Sequence, residues 1–178
     1  MKKLEIGQQA SDFALPGVDG KDHSLSEFKD KPVVVVVFIC NHCPYVQAYE
    51  DRLIGLQQMF APRGVQFIAI NANDSVAYPE DSFDNMVKRA QKKHFNFPYL
   101  RDETQRVAQA YGARYTPEAF VLNSKSRLRY IGRIDDNWQH PAKVKSRDLH
   151  SAIEAILAHK KVENPVTHAI GSTIKWKL

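Results

Sequence analysis

Cys40 and Cys43 are the only two cysteines of this chain, and two residues separate them. A thiolate attacks disulfides and peroxides, and a four-residue turn brings its ends within ~7 Å, close enough for a second thiol to bridge. Pro44 follows Cys43 directly. Because proline lacks an N–H and its fixed φ suits the first helical position, we predict that Cys43 caps a helix beginning at Pro44. The pattern predicts redox chemistry at a helix N-terminus.

The position of Cys43 predicts a lowered thiol pKa. A helix dipole stabilises a thiolate by ~0.3 to 2 kcal/mol, or at most about one and a half pKa units. Reactive cysteines have pKa values lowered from ~8.5 to about 3.5 to 7.5, so a second contribution is expected. As a cation, His42 would favour the thiolate, and as a neutral ring it would shuttle a proton. A solvated loop histidine is an equal alternative at this position.

A zinc site is another interpretation of a C-x-x-C motif. Structural zinc needs four ligands at metal-binding spacing, and the chain contains neither a second C-x-x-C nor an H-x-x-x-H. The remaining histidines are scattered singly. We therefore predict neither a metal nor another cofactor.

The cysteines follow an apolar run that predicts a strand. Residues 33–39 are rich in valine and too few to span a membrane, which favours a central strand buried on both faces. We predict a helix from Pro44 to about Phe60, a stop at Gly64 and a strand over 65–71. This β-α-β order is typical of a parallel sheet.

The rest of the chain continues the alternation of strands and helices, and we expect a single domain over 1–178. The predicted elements are a hairpin (12–15 and 22–25), a helix over 79–94, a strand over 97–100, a helix capped by Asp102 and reaching Tyr111, a hairpin (118–122 and 127–134) and a last helix capped by Ser146.

The net charge of +5 raises the question of nucleic-acid binding. Basic residues cluster at 88–93 and 143–147, which we interpret as the wet face of an amphipathic helix and a loop before a helix cap, so no nucleic-acid partner is predicted. No apolar stretch reaches membrane-spanning length and the first residues form no apolar leader, so we expect no membrane association and a cytoplasmic location.

Several motifs together resemble one family. The segments 10–16, 19–21, 24–28 and 31–32 are similar to the opening motif of the alkyl hydroperoxide reductase/thiol-specific antioxidant (AhpC/TSA, redoxin) family, while 38–46 (FICNHCPYV), 102–105 and 111–113 resemble a thioredoxin-like subgroup. The resemblance implies an α/β fold with a thioredoxin-like, glutaredoxin-type sheet flanked by helices, an N-terminal β-hairpin extension and a C-terminal tail.

Two branches of that family carry out different chemistry. Peroxiredoxins resemble the chain at Cys43 and Pro44, but they carry Thr or Ser where this chain has Cys40, and an activating arginine where it has Thr116 and Pro117. The latter pair resembles the cis-proline loop of thioredoxins, although the residues alone are equally compatible with a trans bond. Without the arginine, no cation polarises a peroxide O–O bond, so disulfide exchange is favoured.

The resemblance also assigns the remaining roles. It implies substrate contacts at Thr116, Pro117, Asn41 and Pro44. Thioredoxins carry a buried carboxylate on the strand before their nucleophile, and residues 33–37 offer none. Glu118 and Asp135 are possible proton acceptors, but we expect both to be solvated surface carboxylates. The subgroup often has a further cysteine in its tail, and residues 171–176 of this chain contain none.

We therefore predict a thiol-disulfide oxidoreductase in which Cys43 attacks, Cys40 resolves and His42 tunes the pair, with the reversed order of attack left open. One alternative is a thiol-dependent peroxidase that forms a sulfenic acid at Cys43. Another is a module that binds a soft metal such as Cu(I) through Cys40, Cys43 and His42. The expected partners are a disulfide-bearing protein or a small thiol or peroxide substrate, together with an external thiol reductant. The sequence does not set the oligomeric state.

Overall fold

The computed structural model describes residues 3–178. Its strands and α-helices follow one another as β1 (Ala14–Pro16), β2 (Asp22–Ser24), β3 (Val33–Phe38), α1 (Pro44–Phe60), β4 (Val65–Asn71), α2 (Phe83–Lys93), β5 (Tyr99–Arg101), α3 (Arg106–Tyr111), β6 (Tyr115–Thr116), β7 (Glu118–Asn123), β8 (Leu128–Gly132), α4 (Asp148–Leu157) and β9 (Ser172–Thr173).

A five-stranded sheet in the order β5-β4-β3-β7-β8 forms the centre of the fold. Strands β3, β4 and β5 are parallel, β7 is antiparallel to β3, and β8 is antiparallel to β7. Every residue of β3 is buried, as expected for a valine-rich strand between two neighbours. The predicted β-α-β unit and the mixed α/β fold are confirmed, and the sheet delivers the carboxyl end of β3 to the cysteine pair.

Alternate residues of β3 contribute to two hydrophobic cores, because successive side chains of a strand point to opposite faces. Val33, Val35 and Val37 pack with residues of α1, α2 and α4. Val34, Val36 and Phe38 pack with α3 and the N-terminal segment, and Ile174 of the tail belongs to this second core. The tail is therefore part of the folded body.

The second helix begins later than predicted. Residues Pro79–Asp81 form a separate 3-10 turn, and the side chain of Ser82 accepts a hydrogen bond from the Asn85 N–H at 3.2 Å to start α2. Pro79 begins the turn, and Ser82 is the N-cap of α2. Asp81 therefore lies outside the helix, where its carboxylate bonds the backbone of the cysteine loop.

Two predicted caps differ in the structure. Gln105 precedes the first residue of α3, although Asp102 Oδ2 does accept the Ala108 N–H at 2.9 Å. Ser146 does not cap α4, because its hydroxyl donates to Asp148 Oδ1 at 2.9 Å and Arg147 occupies the cap position. Asp102 therefore still bonds the first turn of α3, whereas at α4 the Asp148 carboxylate takes the hydroxyl that was expected to cap the helix.

The basic face of α2 is less exposed than predicted. Arg89 forms a hydrogen-bonded ion pair with Glu50, whose side chain is 1% exposed, and Lys93 pairs with Asp51 at 2.8 Å. These lysine and arginine side chains join α2 to α1. Within residues 3–178, no helix combines the length and the apolar character that crossing a membrane requires.

Candidate active site

The cysteine loop connects the end of β3 to α1. Cys43 is the N-cap of α1 with φ −103° and ψ 125°, and Pro44 is the first helical residue, as predicted. Both thiols are free, and each cysteine is 4% exposed. The loop therefore holds two reduced sulfurs almost out of water.

The two thiols have opposite pKa shifts. A hydrogen bond from the Cys40 thiol is the main cause that lowers the pKa of Cys43 to about 5, against the opposing effect of burial. The Ser172 hydroxyl and the backbone N–H groups of Val46 and Tyr45 lower it further. The pKa of Cys40 is raised, first by its hydrogen bond with Cys43 and then by burial. Cys43 is therefore the thiolate of the pair near neutrality.

The loop before β7 contacts both sulfurs through one residue. The Thr116-Pro117 peptide bond is cis, which confirms the expectation drawn from the thioredoxin resemblance. The Thr116 hydroxyl donates to Cys40 Sγ at 3.5 Å, and Cys43 Sγ lies 3.5 Å from the Thr116 carbonyl oxygen, to which it donates only while it is protonated. Thr116 thus touches the pair through its side chain and through its backbone.

Ser172 of the C-terminal tail is a site residue that the sequence patterns did not reveal. Its Oγ lies 3.0 Å from Cys43 Sγ, and it is paired with Thr116 where β9 adds to β6. When Cys43 is ionised, the sulfur accepts this hydrogen bond and the serine donates it. The serine stands in the tail stretch where the subgroup often has a cysteine, and that was the only signal.

Asp81 lies buried behind the cysteine loop and was also missed. One oxygen accepts the Asn41 N–H at 2.7 Å and the Asn71 side chain at 3.0 Å, and the other accepts the Asn73 side chain at 3.0 Å. Its negative charge adds to the raised pKa of Cys40. The carboxylate therefore fixes the backbone of the loop and favours a neutral Cys40.

Asn41 forms its side-chain hydrogen bonds inside the protein, and its predicted contact with substrate stays a prediction. Its side chain donates to the Glu80 carbonyl at 3.0 Å and accepts from the Tyr99 hydroxyl at 2.7 Å, and the residue is 6% exposed. These bonds point its amide into the protein, away from the space beside the sulfurs.

The two carboxylates expected on the surface are both buried. Glu118 is 6% exposed and accepts the Arg114 N–H at 2.8 Å, while burial raises its pKa. Asp135 is 5% exposed and pairs with Arg52 at 2.8 Å. Their partners lie in the loop before β6 and on α1, so both carboxylates have structural contacts of their own.

A cavity of about 150 Å³ opens beside the thiols. The side chains around it come from the cysteine loop, the cis-proline loop, the 79–81 turn and the tail: Cys40, His42, Cys43, Pro44, Asn73, Tyr78, Glu80, Asp81, Thr116, Ser172, Thr173 and Lys175. His42 and Pro44 are exposed at its border. Across residues 3–178, His42 has no hydrogen bond to either sulfur, and its tuning of the pair stays a prediction.

The described residues offer no group of three or more His, Cys, Asp and Glu side chains that could hold a metal ion. The copper-binding alternative named three ligands, Cys40, Cys43 and His42, and these do not form such a group among residues 3–178.

Comparison with known proteins places these features in context. The AhpC/TSA family model matches residues 6–131. A structure of an uncharacterised conserved protein from Geobacillus kaustophilus is 39% identical with a TM-score of 0.92, covering 99% of this chain and 94% of that one. The thioredoxin domain of a thiol-disulfide oxidoreductase from Bacteroides vulgatus shares the fold, with a TM-score of 0.66 at 16% identity, covering 87% of this chain and 99% of that domain.

Two curated relatives represent the two branches of chemistry. The thiol-disulfide oxidoreductase ResA of Geobacillus thermodenitrificans is 25% identical over 130 residues, which are 72% of this chain and 69% of the relative. The chloroplastic peroxiredoxin Q of Suaeda salsa is 30% identical over 138 residues, covering 72% of this chain and 60% of that protein. The arrangement beside the cavity, a thiolate with a second thiol in contact, is suited to forming and resolving a mixed disulfide.

Proposed function

Because the chain belongs to the AhpC/TSA family and pairs an ionised cysteine with a neutral one, we propose that it is a thiol-disulfide oxidoreductase. The observation that carries the proposal is the contact between the sulfurs of Cys40 and Cys43, which lowers the pKa of one and raises that of the other. A nucleophile and a resolving thiol are both in place.

The reaction has two thiol exchanges. The Cys43 thiolate attacks one sulfur of a disulfide, which forms a Cys43–substrate mixed disulfide and releases the other half as a thiolate. Cys40 then loses its proton to solvent and attacks Cys43 Sγ, which forms the Cys40–Cys43 disulfide and releases the second half. The substrate gains two electrons, and an external thiol reductant returns two electrons to the protein.

The pKa values explain the order of these steps. While Cys43 is a thiolate, its hydrogen bond and its charge keep the Cys40 thiol protonated. Formation of the mixed disulfide removes that charge and its hydrogen bond, so the largest cause of the raised Cys40 pKa disappears while burial remains. The first step therefore lowers the pKa of Cys40 and favours its ionisation for the second attack.

The surroundings of the thiols favour disulfide exchange over peroxide reduction. Among residues 3–178, the side chains around the cavity include Lys175 and no arginine. The cis-proline loop occupies the position at which peroxiredoxins carry their activating arginine. A peroxidase uses such a cation to stabilise the charge that develops on the O–O bond. A disulfide needs no such group, because its leaving thiolate is itself a stable anion. The proposed partners are a disulfide substrate and a thiol reductant, and the proposed location is the cytoplasm.

Trapping experiments test the proposal. The Cys40→Ser variant is expected to accumulate a mixed disulfide with a disulfide substrate, while Cys43→Ser is expected to accumulate none. The opposite pattern would reverse the order of attack and leave the reaction class intact. Rapid consumption of hydrogen peroxide by the reduced protein with sluggish disulfide exchange would overturn the proposal in favour of a peroxidase.

A further inference from the structure

The backbone edge beside the active cysteines is already occupied by the chain's own tail. Strand β9 pairs antiparallel with β6, with Thr173 opposite Tyr115 and Ser172 opposite Thr116. Thr116 is the residue before cis-Pro117 and contacts both sulfurs. The tail therefore covers the strand edge nearest to the reacting atoms.

Contacts on both sides of β9 hold the tail in this position. The Ile174 N–H donates to the Arg114 carbonyl at 2.8 Å, and the Ile174 side chain is 3% exposed. The Lys175 N–H donates to Asn73 Oδ1 at 2.9 Å, and Gln105 Nε2 donates to the Lys175 carbonyl at 2.9 Å. These bonds and the burial of Ile174 make β9 a fixed part of the site.

The backbone of Gly171 packs directly against the backbone of the cis-proline loop. A Cβ atom built on Gly171 would lie 2.3 Å from the Thr116 carbonyl oxygen and 3.1 Å from the Pro117 nitrogen. Both neighbours are backbone atoms, so the fit leaves no room for a side chain. Any larger residue at 171 has to move the tail away from Thr116.

This arrangement restricts what reaches Cys43. An extended polypeptide substrate binds an exposed strand edge by adding a strand to it, and that edge is taken here. The cavity that remains is about 150 Å³, below the ~300 to 1,000 Å³ of typical ligand pockets. One half of a small disulfide fits such a space, and an extended peptide has no edge to pair with.

From this geometry we infer that the substrates are low-molecular-weight disulfides rather than disulfides within polypeptides. The inference rests on the proposed thiol-disulfide exchange and names its substrate class. Cys43 attacks the sulfur of the half that enters the cavity, and the other half leaves as a thiolate on the open side. The tail acts as a permanent filter for substrate size.

The test compares two probes that release the same group. One is the mixed disulfide of free cysteine with 5-thio-2-nitrobenzoate, and the other carries the same mixed disulfide on a cysteine within an extended twelve-residue peptide. In both, Cys43 forms a disulfide with the cysteine sulfur and releases the coloured 5-thio-2-nitrobenzoate anion. Each rate constant is divided by that of free cysteine as attacking thiol, which removes intrinsic differences between the probes.

We expect the reduced protein to prefer the small probe by at least about tenfold, a difference of ~1.4 kcal/mol in barrier height. Gly171→Ala moves the tail and Ser172 with it, which changes the reactivity of Cys43 toward both probes by the same factor, so the readout is the ratio of the two rates. That ratio, peptide probe over small probe, is expected to rise by about tenfold. Gly55→Ala is the matched control, because a Cβ at Gly55 meets no atom within 4 Å, and it is expected to change neither rate. Gln105→Ala loosens the tail without a clash and replaces Gly171→Ala if that variant does not fold.

Equal normalised rates for the two probes with the unmodified protein would overturn the inference. So would an unchanged preference in a folded variant whose tail exchanges its amide hydrogens faster than that of the unmodified protein. A protein inert to both probes would instead contradict the proposed oxidoreductase function, so the two failures are distinguishable.

Discussion

The hydroxyl of Ser172 lies 3.0 Å from the sulfur of Cys43, across 129 positions of sequence. This contact joins the C-terminal tail to the nucleophile and helps to lower the pKa of Cys43. The tail therefore has two effects: it covers the strand edge and it stabilises the thiolate.

Ser172→Ala is expected to raise the pKa of Cys43 by about one to two units, since a hydrogen bond to a charged group contributes ~1.5 to 3 kcal/mol. The pH dependence of alkylation by iodoacetamide, followed by mass spectrometry of the Cys43 peptide, measures the shift. Ser151→Ala, at an exposed serine of α4, is the control. An unchanged titration in Ser172→Ala would mean that the serine does not bond the thiolate.

Cys40→Ala is expected to raise the pKa of Cys43 further than Ser172→Ala does, because the Cys40 hydrogen bond is the largest cause of the lowered value. The thiolate fraction at pH 6 then falls, and the alkylation rate of Cys43 falls with it. The same iodoacetamide titration checks this order. A smaller shift in Cys40→Ala than in Ser172→Ala would contradict it.

The stability of the reduced protein is expected to depend on pH through Cys43. The folded-state pKa of about 5 lies below the 9.0 of a free thiol, so the unfolded state binds more protons between these values. Stability therefore rises with pH across that window and is lost as pH falls through about 5. The contribution to the slope is at most about 1.4 kcal/mol per pH unit, and less where water screens the thiolate.

Denaturant unfolding of the reduced protein at several pH values, compared with Cys43→Ala, isolates this contribution. The raised pKa of Cys40 leaves that thiol protonated in the folded state, and in the unfolded state it begins to ionise only above about pH 8, so Cys40 contributes little below that pH. Parallel curves for the two proteins from pH 5 to 9 would show that Cys43 is not ionised in the folded state.

Asp81→Asn is expected to reduce the free energy of unfolding by ~2 to 4 kcal/mol. The carboxylate accepts hydrogen bonds from Asn41, Asn71 and Asn73. The asparagine variant replaces one accepting oxygen by an NH2 group, which cannot accept, so at least one buried N–H group loses its partner. Urea unfolding measures the loss. Asp30→Asn, an exposed position, is the control and is expected to stay within ~0.5 kcal/mol of the unmodified protein.

Glu118→Ala is expected to destabilise the protein by ~1 to 3 kcal/mol and to slow disulfide exchange, since the Arg114 and Tyr115 N–H groups lose their acceptor just before Thr116. Glu118→Gln keeps an accepting oxygen and is expected to restore most of both properties. Unfolding and exchange rates of the two variants provide the comparison. Equal behaviour of the alanine and glutamine variants would exclude this role of the carboxyl oxygen.

Local patterns were sufficient for much of the fold. The run of valines predicted β3, and the order of strands and helices predicted the parallel part of the sheet, because hydrophobic periodicity reflects burial directly. The start of α2 and the cap of α4 were predicted wrongly. At α2 a local signal was available, because Ser82 is a serine cap three residues after Pro79. At α4 the Ser146 hydroxyl bonds Asp148 instead of the helix, which depends on the geometry of the preceding loop.

The sequence by itself determined which cysteine heads the helix. Proline fixes its own φ and lacks an N–H, so Pro44 places the start of α1 and puts Cys43 at its N-cap without reference to the rest of the chain. Only the tertiary structure decided that Ser172 and Asp81 complete the site. Hydrogen bonds between remote segments depend on how the sheet brings those segments together, and no local pattern of residues encodes that arrangement.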